Sequence, residues 1–312
     1  MKNAILNFPH TLDQGFKLAL LHSGKKSYKK LVICGMGGSG IPGTILSLTE
    51  DNVVVWQNYG LPEDISTGDL VVCTSWSGDT QETISSFDKA REMGLETYVI
   101  TKGGILADKA KTENAVVISM PDEPIPARLG AGYMLGALLA LLGIKLDALS
   151  LASNMETEAA SLAGMIGRKN PVVYSPYKLR HIAGLWRILF NENAKLPALS
   201  NYFPAAAHNE IEVFNSSNKD KLFPILIKDG PDRDINAAIA FFSQIGYDCY
   251  IVNLSGPGES PREAGIASES LLSKTLNSYI FGLWTSYLLA QNLGVDSKKT
   301  ELIDTFKRLK KN

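Results

Sequence analysis

Residues 70–83 read Leu70-Val71-Val72-Cys73-Thr74-Ser75-Trp76-Ser77-Gly78-Asp79-Thr80-Gln81-Glu82-Thr83, an apolar run followed directly by hydroxyl side chains. The first four residues are typical of a buried strand. A helix beginning at Gly78 would place Ser75, Ser77 and Thr80 at its N-terminus, where unpaired N–H groups and the helix dipole attract phosphate. The alternative is an ordinary helix N-cap, for which one hydroxyl suffices. Five hydroxyls within ten residues favour a phosphate site.

A second loop of this kind lies earlier in the chain. The strand-like run Leu31-Val32-Ile33-Cys34 leads into Gly35-Met36-Gly37-Gly38-Ser39-Gly40, which matches the dinucleotide-binding pattern G-x-G-x-x-G. That pattern calls for an acidic residue about 20 residues later, but the next strand-like run ends in Gln57-Asn58. We therefore interpret the glycines as admitting a sugar phosphate close to the backbone, and a dehydrogenase is the less favoured alternative.

Composition and charge restrict the class of protein. The 312 residues are enough for two domains of about 150 residues each. A hydrophobic content of 45% and a charged content of 20% are ordinary for a globular protein. The net charge of -1 provides no basic field, so neither nucleic acid nor an anionic membrane is an expected partner.

The cysteines and the N-terminus indicate the compartment. Cys34, Cys73 and Cys249 lie in apolar runs without metal-ligand spacing, so we expect buried free thiols. The first residues lack the apolar core of a signal peptide, and the longest apolar stretch, 129–144, is too short and glycine-broken to span a bilayer. These features predict a cytoplasmic protein.

Strand and helix signals alternate along the chain in two blocks. Alternation of this kind predicts a doubly wound α/β sandwich, in which helices flank a parallel sheet and ligands gather at the carboxyl ends of the strands. The second block begins near Pro171, and a helix over 155–166 is the predicted junction. We therefore expect two similar α/β domains, 1–152 with the phosphate-binding loops and 153–312.

Four motifs lie along the chain in the order Gly37-Gly38-Ser39-Gly40, Ser75 to Thr80, Asn191-Glu192-Asn193-Ala194-Lys195 and His208-Asn209-Glu210. Together they resemble the bifunctional phosphoglucose/phosphomannose isomerase family, which is built from two sugar isomerase (SIS) domains. The Ser-x-Ser-Gly-x-Thr loop marks SIS domains generally, whereas Asn-Glu-Asn-x-Lys followed by His-Asn-Glu is more particular to this branch. The resemblance extends over nearly the whole chain and implies two SIS domains.

The resemblance also implies roles for individual residues. The phosphate would be held by Gly38, Ser39, Ser75, Ser77 and Thr80. Glu210 would be the catalytic base, with Arg128 near the reacting carbons. Thr300 and Lys307 would lie near the sugar, the threonine leaving room for both C2 epimers. The substrates would be glucose, fructose and mannose 6-phosphates, and relatives form homodimers.

The chemistry of the reaction agrees with these roles. Aldose–ketose isomerisation moves a proton between adjacent carbons through an enediol, so it needs one base that accepts and returns the proton. A carboxylate such as that of Glu210 suffices. Cations such as Arg128 and Lys307 would stabilise the negative charge that develops on oxygen. No metal or redox cofactor is required.

Each assignment has a structural alternative. Glu210 would otherwise be a solvated helix residue, Arg128 a surface arginine, and Lys307 part of a basic helix end that complements the helix dipole. His208 is either a hydrogen-bonded core histidine or a group that assists ring opening. The segment 191–195 is expected to form a polar network beside the base.

One departure from the family concerns ring opening. Relatives often carry a histidine after the strand that follows the base, proposed to open the sugar ring across the dimer interface. The corresponding stretch here, 229–234, has none. The expected function is hexose 6-phosphate isomerisation. The alternatives are an isomerase for another phosphosugar and a non-catalytic SIS-domain sensor of phosphosugars.

Overall fold

The computed structural model describes residues 1–22, 28–146, 151–152, 155–256, 258, 260, 262–266, 268 and 270–310. The chain forms two compact units. The N-terminal unit comprises Leu6–Ser153 and Leu271–Ser273, and the C-terminal unit comprises Met1–Ile5, Asn154–Ser270 and Lys274–Asn312. Each unit contains a five-stranded sheet.

A parallel sheet forms the centre of the N-terminal unit. Its strands are β1 (Leu31–Cys34), β2 (Val53–Trp56), β3 (Leu70–Ser75), β4 (Glu96–Thr101) and β5 (Val116–Ser119). They are ordered β2-β1-β3-β4-β5, and every pairing is parallel. All residues of β1 and β3 are buried, as expected for continuous apolar runs covered on both faces.

Helices flank this sheet. They are α2 (Phe8–Ala19), α3 (Ile41–Leu46), α4 (Gln81–Glu92), α5 (Gly104–Thr112) and α6 (Ala131–Leu142). The first helix of the chain, α1 (Lys2–Leu6), groups with the C-terminal unit except for Leu6. The helix α4 begins at Gln81 rather than at Gly78, because Gly78 has a φ of 78° that interrupts a right-handed helix. The hydroxyl loop is therefore longer than predicted.

The C-terminal unit repeats this architecture. Its strands are β6 (Asn170–Pro176), β7 (Leu199–Phe203), β8 (Leu222–Lys228), β9 (Tyr250–Asn253) and β10 (Glu263–Gly265), ordered β10-β9-β8-β6-β7 and all parallel. Its helices are α7 (Glu156–Ile166), α8 (Arg180–Leu189), α9 (Ala206–Asn209), α10 (Arg233–Gln244), α11 (Leu271–Leu293, whose first three residues group with the other unit) and α12 (Glu301–Leu309). The predicted α/β class with two parallel sheets is confirmed.

The thiols differ in burial. Cys34 and Cys73 are buried and are register partners on β1 and β3. A hydrogen bond with Cys34, together with burial, raises the pKa of the Cys73 thiol well above its ordinary value. Cys249 is only half-buried, so the prediction of a buried thiol is wrong there. Among the described residues, none of the helices combines the length and apolar character needed to cross a bilayer.

Candidate active site

In the N-terminal unit two loops flank the point where the strand order reverses. The chain passes from β1 to β2 on one side and returns to β3 on the other. The loops 35–40 and 76–80 therefore leave the carboxyl ends of neighbouring strands at the place where open α/β sheets bind ligands.

Hydrogen bonds join these two loops. The backbone N–H of Trp76 donates to Ser39 Oγ at 2.9 Å, and Thr74 Oγ1 donates to the carbonyl oxygen of Ser39 at 2.8 Å. Ser39 and Thr74 are both buried. Since a hydroxyl that accepts one hydrogen bond can still donate its proton, Ser39 keeps the capacity to bind an anion.

The hydroxyl loop has its own internal order. Ser75 Oγ donates to Thr80 Oγ1 at 3.1 Å and accepts from the N–H of Gly78 at 3.1 Å, while Ser77 Oγ accepts from the N–H of Asp79 at 3.3 Å. Thr80 occupies the N-cap position of α4, yet its side chain makes no capping hydrogen bond. Ordinary capping by Thr80 therefore does not explain this loop. Ser75 is buried, Thr80 half-buried and Ser77 exposed.

The backbone of Arg128 packs against Gly38 of the first loop. A methyl group on Gly38 would lie 2.5 Å from the backbone nitrogen of Arg128, so packing within the protein already requires glycine there. A backbone contact of Gly38 with phosphate stays a prediction. Arg128 is 2% exposed, which excludes a surface arginine. A buried guanidinium must be compensated by partners within the protein.

Trp76 fixes the hydroxyl loop and was not singled out from the sequence. Its Nε1 donates to the carbonyl oxygen of Ile125 at 3.0 Å, and its ring stacks on Tyr133 with 6.0 Å between centroids. Gly130 is required because a methyl group there would lie 2.6 Å from the indole. The sequence feature that could have identified Trp76 is the presence of one aromatic residue in a loop of otherwise small and polar residues. The structure thus brings Gly38, Ser39, Ser75 and the backbone of Arg128 together at one anchored pair of loops.

In the C-terminal unit both oxygens of Glu210 accept hydrogen bonds. Asn201 Nδ2 donates to Oε1 at 2.7 Å, and the hydroxyl of Tyr174 donates to Oε2 at 2.9 Å. Glu210 is half-buried directly after α9, so the alternative of a solvated helix residue is wrong. Burial, followed by the charge of Glu210 and this hydrogen bond, raises the pKa of Tyr174 far above its ordinary value. Tyr174 is therefore a neutral donor.

The structure also shows the surroundings of His208 and of the motif segment 191–195. His208 is exposed on α9, two residues before Glu210, so the core-histidine alternative is wrong. In the segment Asn191 to Lys195, Asn193 is fully buried and its Nδ2 donates to Ser286 Oγ at 2.8 Å. Lys195, at a left-handed φ of 56°, donates to the carbonyl oxygen of Lys299 at 2.6 Å. This segment thus anchors the chain that leads into α12.

Thr300 and Lys307 belong to that final segment. Thr300 is half-buried at the N-cap position of α12, without a side-chain capping bond, and Lys307 lies in the last turn. Residues 301–310 are all exposed, Leu302 and Phe306 included. Thr300 has non-helical dihedral angles, φ -136° and ψ 44°, so only Lys307 belongs to a face of α12.

Known proteins resemble this chain in sequence and fold. A family model described as the bacterial phospho-glucose isomerase C-terminal SIS domain matches residues 155–309. The bifunctional phosphoglucose/phosphomannose isomerase of Aquifex aeolicus is 32% identical over 302 residues, covering 91% of this chain and 92% of that protein. The D-glucosamine-6-phosphate 4-epimerase of Sulfolobus acidocaldarius is 31% identical, covering 80% of this chain and 85% of that protein.

A solved structure shares the fold. The crystal structure of a hypothetical protein from Thermus thermophilus superposes with a TM-score of 0.74 at 18% identity, covering 99% of this chain and 89% of that chain. The two-SIS-domain fold and the resemblance predicted from the four motifs are confirmed. The chain therefore belongs to the bifunctional phosphoglucose/phosphomannose isomerase family.

Proposed function

We propose that the protein interconverts glucose 6-phosphate and mannose 6-phosphate with fructose 6-phosphate. The observation that carries the proposal is the Glu210 carboxylate, which is half-buried and receives one neutral hydrogen-bond donor on each oxygen. Such a carboxylate is oriented by its two donors and keeps lone pairs with which to accept a proton. Family membership supports the same reaction.

In the proposed mechanism Glu210 removes the proton from C2 of the open-chain aldose. The electron pair forms the C1=C2 double bond of an enediol, and the carbonyl oxygen O1 gains a proton. Glu210 then delivers its proton to C1 while the hydroxyl on C2 loses its proton and becomes the ketone. Arg128 and Lys307 are proposed to stabilise negative charge on these oxygens, and His208 to assist ring opening.

The phosphate is proposed to bind at the loops of the N-terminal unit. The proposed ligands are Gly38, Ser39, Ser75, Ser77 and Thr80. The four hydroxyl residues among them lie at or just beyond the carboxyl ends of the neighbouring parallel strands β1 and β3, where open α/β sheets bind ligands. Thr300 is proposed to leave room for both epimers at C2. The protein is further proposed to be cytoplasmic, to act as a homodimer and to need no metal or cofactor.

A second candidate substrate is glucosamine 6-phosphate. The observation that favours it is the similarity to a D-glucosamine-6-phosphate 4-epimerase, 31% identical over 271 residues. This identity is close to the 32% shared with the phosphoglucose/phosphomannose isomerase of Aquifex aeolicus. This candidate is a case of the alternative raised from the sequence, in which the substrate is another phosphosugar.

The test is proton NMR of fructose 6-phosphate incubated with the protein in deuterium oxide and a metal chelator. We expect glucose and mannose 6-phosphates that carry deuterium at C2, because the base exchanges its proton with solvent between the two transfers. Parallel incubation with glucosamine 6-phosphate tests the second candidate. Binding of the sugar phosphates without conversion of any would overturn the proposal and indicate a sensor.

A further inference from the structure

We propose that Tyr174 and Asn201 are positioning residues that fix the orientation of the Glu210 carboxylate for proton transfer, an inference that rests on the proposed base role of Glu210. Neither residue belongs to the motifs that carry the family resemblance. Each supplies one hydrogen bond, Tyr174 to Oε2 at 2.9 Å and Asn201 to Oε1 at 2.7 Å. The two hydrogen bonds together hold the carboxylate group in one orientation.

The sheet places these two donors side by side. Tyr174 on β6 and Asn201 on β7 are register partners in a parallel pair, so their side chains project from the same face. Neighbouring strands lie about 4.8 Å apart, a spacing that one carboxylate bridges with a hydrogen bond from each of its oxygens. The main chain of Glu210 is also held, because its N–H donates to the carbonyl oxygen of Ala206 at 2.9 Å.

Both donors are themselves immobilised. The Asn201 side-chain carbonyl accepts from the N–H of Tyr202 at 2.8 Å, which leaves the amide nitrogen as the end that faces Glu210. The ring of Tyr174 is 1% exposed and packs on Phe203 and Phe214, with centroid distances of 5.2 and 6.1 Å. Donors whose rotamers are fixed by packing orient a reacting group without an entropic cost at the moment of reaction.

The two donors differ in what they do after proton transfer. A tyrosine hydroxyl can donate or accept, whereas an amide nitrogen only donates. When Glu210 carries the substrate proton on Oε2, the Tyr174 hydroxyl can reverse and accept from it. Asn201 has no such option for Oε1. Tyr174 can therefore hydrogen-bond to the base in both of its protonation states. We expect the loss of the Tyr174 hydroxyl to lower kcat more than the loss of the Asn201 amide.

The experiment compares Tyr174→Phe and Asn201→Leu with the control Tyr247→Phe. The Tyr247 hydroxyl donates to the carbonyl oxygen of Asn215 at 2.7 Å and its ring packs on Phe214, so the control removes a hydroxyl from the same aromatic cluster without touching Glu210. We expect kcat to fall about 10- to 100-fold in Tyr174→Phe, and by less in Asn201→Leu. KM should change less than about twofold in both, since orientation acts on the chemical step.

A double-mutant cycle separates positioning from a general structural role. Adding Tyr174→Phe to Glu210→Gln should lower the residual rate less than about twofold, because no carboxylate remains to be oriented. Equal losses in the two backgrounds, or a Tyr174→Phe kcat equal to that of Tyr247→Phe, would overturn the inference while leaving the proposed function intact. If Tyr174→Phe fails to fold by circular dichroism, Asn201→Leu provides the same cycle from the neighbouring strand. No turnover by the unmodified protein would instead overturn the proposed function, and the base role with it.

Discussion

The two sheets have the same strand topology, but they carry different side chains at the point where the strand order reverses. In the N-terminal unit the loop after β3 carries the hydroxyls of Ser75, Ser77 and Thr80. In the C-terminal unit the equivalent strand β8 is followed by Asp229, whose Oδ1 lies 2.7 Å from Lys274 Nζ and whose Oδ2 lies 3.7 Å from Lys178 Nζ. We call the carboxyl end of the N-terminal sheet the first edge and that of the C-terminal sheet the second edge. Hydroxyl groups line the first edge, and ion pairs occupy the second.

The comparison shows that the fold fixes where a ligand can bind but not whether one does. At the second edge the Asp229 carboxylate pairs with both lysines, and it also accepts a hydrogen bond from Ser255. At the first edge the loop hydroxyls can donate to a phosphate. One architecture thus supports a proposed substrate site in one unit and an ionic cluster in the other, because function depends on the side chains placed on the fold.

The largest expected effect separates chemistry from phosphate binding. Glu210→Gln should reduce kcat at least about 100-fold while sugar-phosphate affinity changes little, because the amide retains size and polarity but cannot accept the proton. Stopped-flow turnover and calorimetric binding measure the two quantities. Unchanged turnover would exclude Glu210 as the base.

The next effect compares two glycines that follow the equivalent strands. Gly78 and Gly230 have φ values of 78° and 74°, but a methyl group on Gly78 would lie 1.7 Å from the Gly103 carbonyl oxygen, whereas one on Gly230 meets nothing within 4 Å. Gly78→Ala should lower the free energy of unfolding by about 3 kcal/mol, from left-handed strain and overpacking together. Gly230→Ala should cost about 1 kcal/mol from strain alone. Urea unfolding gives both values, and equal costs would contradict the comparison.

The third effect tests the ionic character of the second edge. Burial opposes ionisation of Asp229, but the hydrogen bonds from Lys274 and Ser255 and the charges of both lysines outweigh it, so the pKa of Asp229 lies below its ordinary value. Asp229→Asn should therefore cost about 2 kcal/mol of unfolding free energy at neutral pH. Because the folded pKa is depressed, this difference should be complete above about pH 4 and should disappear as the pH falls further.

The activity of the same variant provides the control. If the second edge is purely structural, kcat/KM of folded Asp229→Asn should match that of the unmodified protein. A rise in KM for the sugar phosphate would show that the two edges do not differ in the way proposed here. A stability difference independent of pH would instead contradict the ionic account of Asp229.

The smallest effect compares two serines. Ser77→Ala should raise KM about tenfold with little change in kcat, because a phosphate contact is retained in ground and transition states alike. Ser255→Ala, at the second edge, should leave both constants unchanged. A Ser77 variant with normal KM and a collapsed kcat would count against the placement of phosphate at the first edge.

The sequence predicted the class of fold because strand-forming runs buried on both faces are continuously apolar. Leu31–Cys34 and Leu70–Ser75 carry that signal. The same signal did not predict strand β7, because Leu199–Phe203 is short and contains the polar residues Ser200 and Asn201. Missing this strand also concealed Asn201 as a donor to Glu210.

The candidate site was predicted only in part. The hydroxyl loop and the family motif that ends in Glu210 were singled out as candidates, because each is a short run of neighbouring residues. The sequence left open whether Arg128 is a surface residue, because its 2% exposure depends on how the segment before α6 packs against Gly38. It also missed Trp76 as an anchor, since its partner Ile125 lies 49 residues away.

By itself the sequence determined the alternation of strands and helices, the hydroxyl and glycine loops and the family, because these depend on local pattern and on residue identity. Only the tertiary structure decided that Tyr174 and Asn201 hold the two oxygens of Glu210 and that Asp229 occupies the second edge with lysine partners. The physical reason is that Tyr174 and Asn201 lie 36 and 9 positions from Glu210, and Lys274 lies 45 positions from Asp229. Strand register and packing alone bring such residues within hydrogen-bonding distance.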